Sequence, residues 1–463
     1  MSEVDEKDYK NPLRVETLKE DLLGRESYIR SLEDYLSIEH EFTDGSLVVS
    51  LNAKFGSGKS TLLKMWERDL LERRAAGDNV PLVINLNAWD SDFYGEPLIP
   101  IISELVDAVA THVPKQAAAK KKLKEAAKDA AWFMVGLANS AVPLDALAAA
   151  EFAEKKKLER EDNYEIARPD LLSDYQSRRD AIRRLKDLLN EMLGADQPQA
   201  YVFIDELDRC RPDYAVSYLE RIKHIFDMHG IVFVLAIDYD HLANSARALY
   251  GGSLDFPEYF RKFVHRSFDM PEPKAEKIQD FARELTSYYL HNQKSRFTRL
   301  NLKDSWARLP ELMAATKMSP RQSIEFFRLL GHLSGTKEKM QGSLYVGYGI
   351  GMMLMCAFKA AKKELYAALG RGETRHEEVL LILADEMRQK RNYWWFAIYL
   401  GGFKDQSGAH GLLQKHNLLE KKDETPEQVD RRIQELAYHF WGDSIHGERY
   451  PQIYKQMEAI SLD

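Results

Sequence analysis

Residues 46–65 read SLVVSLNAKFGSGKSTLLKM. Residues 46–52 have the β-branched, apolar character of a buried strand, and residues 60–65 open a helical pattern. Between them, Ala53-Lys54-Phe55-Gly56-Ser57-Gly58-Lys59-Ser60 has the composition of a phosphate-binding loop in all but its first residue. Gly56 and Gly58 let successive backbone N–H groups turn toward an anion, and the helix that follows presents its positive end in the same direction. Lys59 is expected to reach the β- and γ-phosphates of ATP, and the Ser60 hydroxyl to hold Mg2+. Lys54, Phe55, Ser57 and Thr61 complete the expected nucleotide contacts. Ala53 stands where the pattern has glycine, and alanine fits there provided its backbone avoids positive φ.

The second decisive stretch is YVFIDELDR at residues 201–209. Four apolar residues form a central strand, and two carboxylates emerge at its carboxyl end, the edge where open α/β sheets bind ligands. Asp205 is expected in the Mg2+ shell. Glu206 is placed to orient and deprotonate an attacking water. Asp208 and Arg209 either bridge subunits or pair with each other at the surface. Residues 231–237 (IVFVLAI) form another buried strand ending in Asp238, a candidate for sensing the γ-phosphate or positioning the water. Residues 80–86 (VPLVINL) form a further strand, and Trp89 just beyond it is expected in core or rim packing. Arg261, Lys262, His265 and Arg266 precede a short strand near residue 269. A cation from this group either acts in trans on transition-state charge or pairs at the surface.

Bulk properties set limits on function. A chain of 463 residues with 44% hydrophobic and 30% charged residues fits a soluble globular protein of two to three domains. The formal charge of −8 argues against nucleic acid as an obligatory partner. Two cysteines, Cys210 and Cys356, suit a reducing, cytoplasmic setting, and the polar start MSEVDEKDYK is neither a signal nor a transit peptide. Residues 130–150 are small and apolar and nearly long enough to span a bilayer. Asn139, Ser140, Pro143 and Asp145 oppose that, and topology opposes it more strongly. The two nucleotide-binding stretches must lie on one side of a membrane, so an even number of spans is needed, and this stretch is too short for two. A helical insertion that packs on its own domain or on a partner is the expected reading, in preference to membrane contact. The basic residues Arg178, Arg179, Arg183, Arg184 and Lys186 are read as a solvated face balanced by Asp174, Asp180 and Asp187. From residue 271 the pattern is helical. Residues 344–358, with Gly347, Gly349 and Gly351, read as a buried helix with close neighbours, and the aromatic run 393–403 (YWWFAIYLGGF) reads as core. Met318-Ser319-Pro320-Arg321 opens a helix with Ser319 as N-cap and Pro320 first inside.

The order DLLGRE, GSGKST, LNAW, VFIDELDRCRP, IVFVLAID and EYFRKFV resembles the KAP family of P-loop NTPases over roughly residues 10–335. The DELDRCRP segment is its most specific part. Ala53 departs from the family pattern, as does Glu206, where the family usually has aspartate. In P-loop ATPases of the additional-strand class, a segment like Gly24-Arg25 often folds over the adenine, so these two residues either line a base pocket or form a plain turn before a helix at 27–37. Arg321 resembles a second sensor reaching the nucleotide from a lid; the alternative is an ordinary helix-end arginine. The strand at 80–86, lying between the two nucleotide-binding strands, is taken to support the additional-strand, catalytic-glutamate class. The resemblance implies a three-layer α/β P-loop NTPase domain with a parallel sheet, followed by helical domains. The expected boundaries are 1–113 and 166–270 for the core, 114–165 for the helical insertion, 271–335 for a lid and 336–463 for a C-terminal helical region. It also implies ATP hydrolysis in a switch or motor, within a homo-oligomer or a multi-protein anti-phage defence assembly. A slow-hydrolysing scaffold and a nucleic-acid-stimulated motor are the alternative readings.

Overall fold

The computed structural model describes residues 11–112, 117–135, 171–193, 199–225, 228–292, 306–335, 346–390, 393–403, 408–419, 425–441 and 449–459. The charge run at 154–162 and most of the 130–150 stretch lie outside them. By its contacts the chain divides into two compact units, one drawn from residues 26–55 and 59–271, the other from residues 1–25, 56–58 and 272–463.

The first unit is built on a five-stranded sheet of β1 (Leu47–Asn52), β2 (Leu82–Asn87), β3 (Ala200–Asp205), β4 (Ile231–Ile237) and β5 (Arg266–Asp269). Every pairing is parallel, and the order is β2-β3-β4-β1-β5. The strand that separates the loop-bearing β1 from the acidic β3 is therefore β4. The sequence placed β2 in that role because it lies between them along the chain, but in space β2 is marginal. Burial explains the placement. β1, β3 and β4 are apolar at nearly every position and are covered on both faces, whereas β2 alternates between buried and more exposed residues and suits a sheet edge.

Alternation along the strands divides the apolar residues between two layers of helices. Val48, Val202, Ile204, Phe233 and Leu235 share one core with Ile101, Leu105, Leu123, Leu189 and Leu219 from helices on that face. Tyr201 and Phe203 point the other way, with ring centroids 5.5 and 4.7 Å from Trp66 of α2 (Lys59–Ala75). The Trp66 indole donates to Glu33 of α1 (Glu26–Glu41) at 2.7 Å, and Arg30 of α1 pairs with Asp69 of α2, which completes the third layer. The small side chains Ala126 and Ala130 let helix Ala117–Val135 pack closely against Leu185 and Leu189 of helix Leu171–Leu193. On the latter, exposed Arg183 and Arg184 pair with Asp180 and Asp129, as a solvated face would.

In the second unit, the residues expected as a lid and those expected as a C-terminal region share one core. Phe281, Leu285, Phe326 and Leu330 pack with Ile350, Met353, Trp395 and Ile398. Helix Pro320–Gly335 begins at the Ser319 cap its sequence implies, and the cap is reciprocal. The Ser319 hydroxyl accepts from the Gln322 N–H at 3.3 Å, and the Gln322 side chain accepts from the Ser319 N–H at 2.9 Å. Helix Val346–Ala361 is buried, and a Cβ at Gly351 would lie 2.5 Å from the Trp441 ring. The aromatic run is core as well: Trp441 donates to the Ile398 carbonyl at 3.0 Å. Among the described residues, no helix is long and apolar enough to cross a membrane.

Candidate functional site

The parallel register brings the strand ends into one row. Asn52 is level with Ile237 and Asp269, and Asp205 is level with Asn87 and Ala236. Asn52 ties three of these ends together. Its side-chain amide donates to Asp269 at 2.8 Å, and its side-chain oxygen accepts from the Tyr239 N–H at 2.9 Å. Just beyond it, the Ala53 N–H continues the ladder to the Ile237 carbonyl at 3.0 Å. Among the described residues, the non-glycine positions with positive φ are Glu206, Lys317 and Asn417. Ala53 is not one of them, so the missing glycine costs the loop no strain. Gly56 and Gly58 do need their freedom, with φ of 85° and 97°.

Two carboxylates hold the start of the loop. Buried Asp238, the residue after β4, accepts from the Phe55 N–H at 3.1 Å. Exposed Lys54 is bonded to Asp240. Lys59 is buried at the start of α2, and its Nζ donates to the Ala53 carbonyl at 2.6 Å. Burial lowers the pKa of this amine below its ordinary 10.5, and the charges of Asp208, Asp238 and Asp205 only partly oppose that effect. The Ser57 hydroxyl is buried with no hydrogen-bond partner among the described residues.

At the end of β3, Asp205 accepts from the Glu206 N–H at 2.9 Å. Glu206 is left-handed, with φ 62° and ψ 20°, which costs a non-glycine residue about 1–3 kcal/mol. The turn Leu207–Arg209 follows and brings Arg209 back to Glu206, with 3.0 Å between guanidinium and carboxylate. Arg209 therefore pairs with Glu206, and not with Asp208 as one sequence reading had it. Its guanidinium also lies over Phe55, 4.8 Å from the ring centroid, and over Trp89 at 5.5 Å. Trp89 is 51% exposed, so of its two expected places the core is ruled out and the rim is left: the short helix Ala88–Ser91 turns it outward. Cys210 donates weakly to the Glu206 carbonyl at 3.7 Å, and burial pushes its thiol up to about 12, so it stays protonated.

The tip of the loop, residues 56–58, groups with Arg25 and Arg321 in the second unit. Arg25 is buried and fully engaged. It meets Asp21 through Nη2 at 2.7 Å and Nε at 3.0 Å, and its Nη1 donates to the Gly58 carbonyl at 3.4 Å. Burial works to raise the Asp21 carboxyl, but the Arg25 hydrogen bonds and charge outweigh it and hold the group below its usual range. Gly24 closes the preceding turn with φ 72° and an N–H bonded to Asp21 O at 3.2 Å. A Cβ at Gly56 would lie 3.1 Å from the Arg321 Cβ, so the loop passes that helix start as closely as glycine permits. The cations ahead of and at the start of β5 are arranged differently. Arg261 and Lys262 are exposed, His265 accepts from the Val48 N–H at 2.9 Å, and Arg266 pairs with Glu39 at 2.8 Å.

The donor set fits a nucleoside triphosphate with a divalent cation. Two left-handed glycines, a buried amine resting on a backbone carbonyl and a buried hydroxyl with no hydrogen-bond partner among the described residues are groups of the kind that suit phosphate. Ser60 and Asp205 are the oxygen donors suited to magnesium. Reasoning from sequence missed Asn52, Asp21 and the contacts of Arg209 with the rings of Phe55 and Trp89. The spacing Asp21–Arg25 was a usable signal, whereas the ring contacts left none along the chain.

A parallel sheet in which one strand separates a GSGKST-bearing strand from an acidic one defines a P-loop NTPase of the additional-strand class. The family can then be stated: the KAP family P-loop domain matches residues 25–334, and the chain belongs to that family of nucleotide-binding NTPases. The match ends where the C-terminal helices begin, close to the extent expected from sequence. No curated protein matches the chain. Two solved structures of the Aeropyrum pernix ORC2 protein are similar to it. The one with ADPNP-ADP complexes is 12% identical, covering 95% of this chain and 94% of that one at a TM-score of 0.32. The ADP form is 13% identical, covering 94% and 93% at 0.31.

Proposed function

We propose that the chain binds ATP with Mg2+ and hydrolyses it, using the cycle as a switch or motor in an oligomeric assembly of anti-phage defence. The observation that carries the catalytic part is the shared sheet edge. β1 delivers Lys59 and Ser60, β3 delivers Asp205 and Glu206, and only β4 separates them. The defence role and the oligomer rest on the family resemblance.

In this reading Lys59 exchanges the Ala53 carbonyl for phosphate oxygens, and the buried site makes its charge effective. Ser60 and Asp205 would hold the magnesium, which when bound neutralises phosphate charge. Glu206 takes the proton of the attacking water at its carboxylate, a role worth about 10²–10⁴ in rate. Asp238 holds the loop through the Phe55 N–H. Gly24, Arg25 and Arg321 act on the loop tip.

Phosphate release by wild type and by Glu206→Gln, with binding of a fluorescent ATP analogue measured alongside, tests the reading. We expect retained binding and a turnover at least about 100-fold lower. Equal, near-zero rates with binding intact would instead identify a nucleotide-dependent scaffold, and stimulation by DNA with a steep salt dependence would identify a nucleic-acid motor. Mass measurement with and without ATP tests the oligomer, and phage plating on cells carrying Glu206→Gln tests the defence role.

A further inference from the structure

We propose that Arg209 is the positioning residue for Glu206, and that Phe55 and Trp89 hold Arg209 in place, so that the phosphate loop is linked to the base through one guanidinium. This rests on the reading of Glu206 as the base.

An ordinary surface Arg–Glu pair does little, because both side chains are mobile and water screens them. This pair differs in three respects. First, its backbone is preset: the left-handed Glu206 and the turn Leu207–Arg209, closed by the Arg209 N–H on the Glu206 carbonyl at 3.1 Å, place residues 206 and 209 face to face. Second, the guanidinium lies over two rings, 4.8 Å from the Phe55 centroid and 5.5 Å from that of Trp89, cation–π contacts in which arginine is favoured over lysine. The two rings come from the ends of different strands, and both are 51% exposed although exposure of such residues is unfavourable. Third, the Glu206 side chain is only 18% exposed and the Arg209 side chain 30%, so water competes less for their contact than at an open surface.

The arrangement has a direction. Phe55 belongs to the loop, and Asp238 holds its N–H. A shift of the loop on nucleotide binding therefore moves the Phe55 ring, the guanidinium resting on it and the Glu206 carboxylate in turn. Misplacing a base by about 1 Å costs on the order of 100-fold in rate, so Arg209 and Trp89 control turnover through Glu206 rather than through contacts of their own with the nucleotide.

The test is steady-state phosphate release by wild type, Arg209→Ala, Arg209→Lys and Glu206→Gln, with fluorescent ADP binding and circular dichroism on each. We expect Arg209→Ala to lower kcat about 10- to 100-fold with KM within about twofold. Arg209→Lys should recover part of that loss, since it restores charge but not the guanidinium. Added guanidinium should raise kcat of Arg209→Ala and leave Glu206→Gln unchanged. The proposal is overturned if Arg209→Ala turns over like wild type while Glu206→Gln is inactive, or if its loss appears in KM. It is also overturned if neither lysine nor free guanidinium restores any rate, which would assign Arg209 a purely structural role. If Glu206→Gln keeps full turnover, the reading of Glu206 as the base fails, and this proposal fails with it.

Discussion

Replacing Asp238 by alanine separates two roles for that residue. The sequence offers it as a γ-phosphate sensor or a positioner of the water, and in the structure its carboxylate accepts from the Phe55 N–H at 3.1 Å in a buried setting. A hydrogen bond to a charged group contributes about 1.5–3 kcal/mol. If that energy preorganises the loop, its loss weakens nucleotide binding by about 10- to 150-fold. A loop anchor serves any nucleotide with a β-phosphate, so ADP and ATP should weaken equally. A γ-phosphate sensor would affect ATP alone. The substitution also acts on Lys59. The amine grips phosphate only while protonated, burial has already lowered its pKa below 10.5, and the Asp238 charge is among those opposing that fall. Without Asp238 the pKa drops further, so the loss of affinity at alkaline pH should set in at lower pH than in wild type. Titration calorimetry with ADP and with ATP across neutral to alkaline pH measures both effects. ADP binding equal to wild type, with an unmoved alkaline limb, would refute the anchor.

Two further outcomes follow from the loop tip. Gly58→Ala should weaken ATP binding at least about 10-fold while leaving the circular dichroism spectrum unchanged, because φ of 97° disfavours a side chain by about 1–2 kcal/mol and the new Cβ would lie 3.0 Å from Arg25 Nη1. Asp21→Ala should destabilise the helical unit by about 3–5 kcal/mol in urea unfolding at pH 7, since it leaves the Arg25 charge buried without its partner. The folded pKa of Asp21 is depressed, so its contribution is complete above the ordinary value of 3.8 and is lost as pH falls below that. The difference between wild type and variant should therefore shrink in acid.

Much of the molecule was legible along the chain because its signals are local. The glycines at 56 and 58, the lysine after them and the apolar runs ending in Asp205 and Asp238 each state a backbone or burial requirement within a few residues. The Ser319 cap was equally local, and so was the tolerance of Ala53 for its place. What the chain order concealed was adjacency. β2 follows β1 in sequence yet forms a sheet edge, and β4, the third strand to follow β1, is its neighbour in space. The difference lies in how many faces of each strand must be covered, a property of the whole sheet.

The sequence by itself determined that this chain carries a phosphate loop and an acidic strand end in an additional-strand P-loop domain, because each motif is encoded in consecutive residues whose conformations are set by their own side chains. Only the tertiary structure decided other partners: Asp238 to the loop backbone, Arg209 to the rings of Phe55 and Trp89, and Trp89 outward. A charged or aromatic side chain reaches several possible neighbours at similar cost. The packing of strands and turns selects one of them, and no local pattern records that choice.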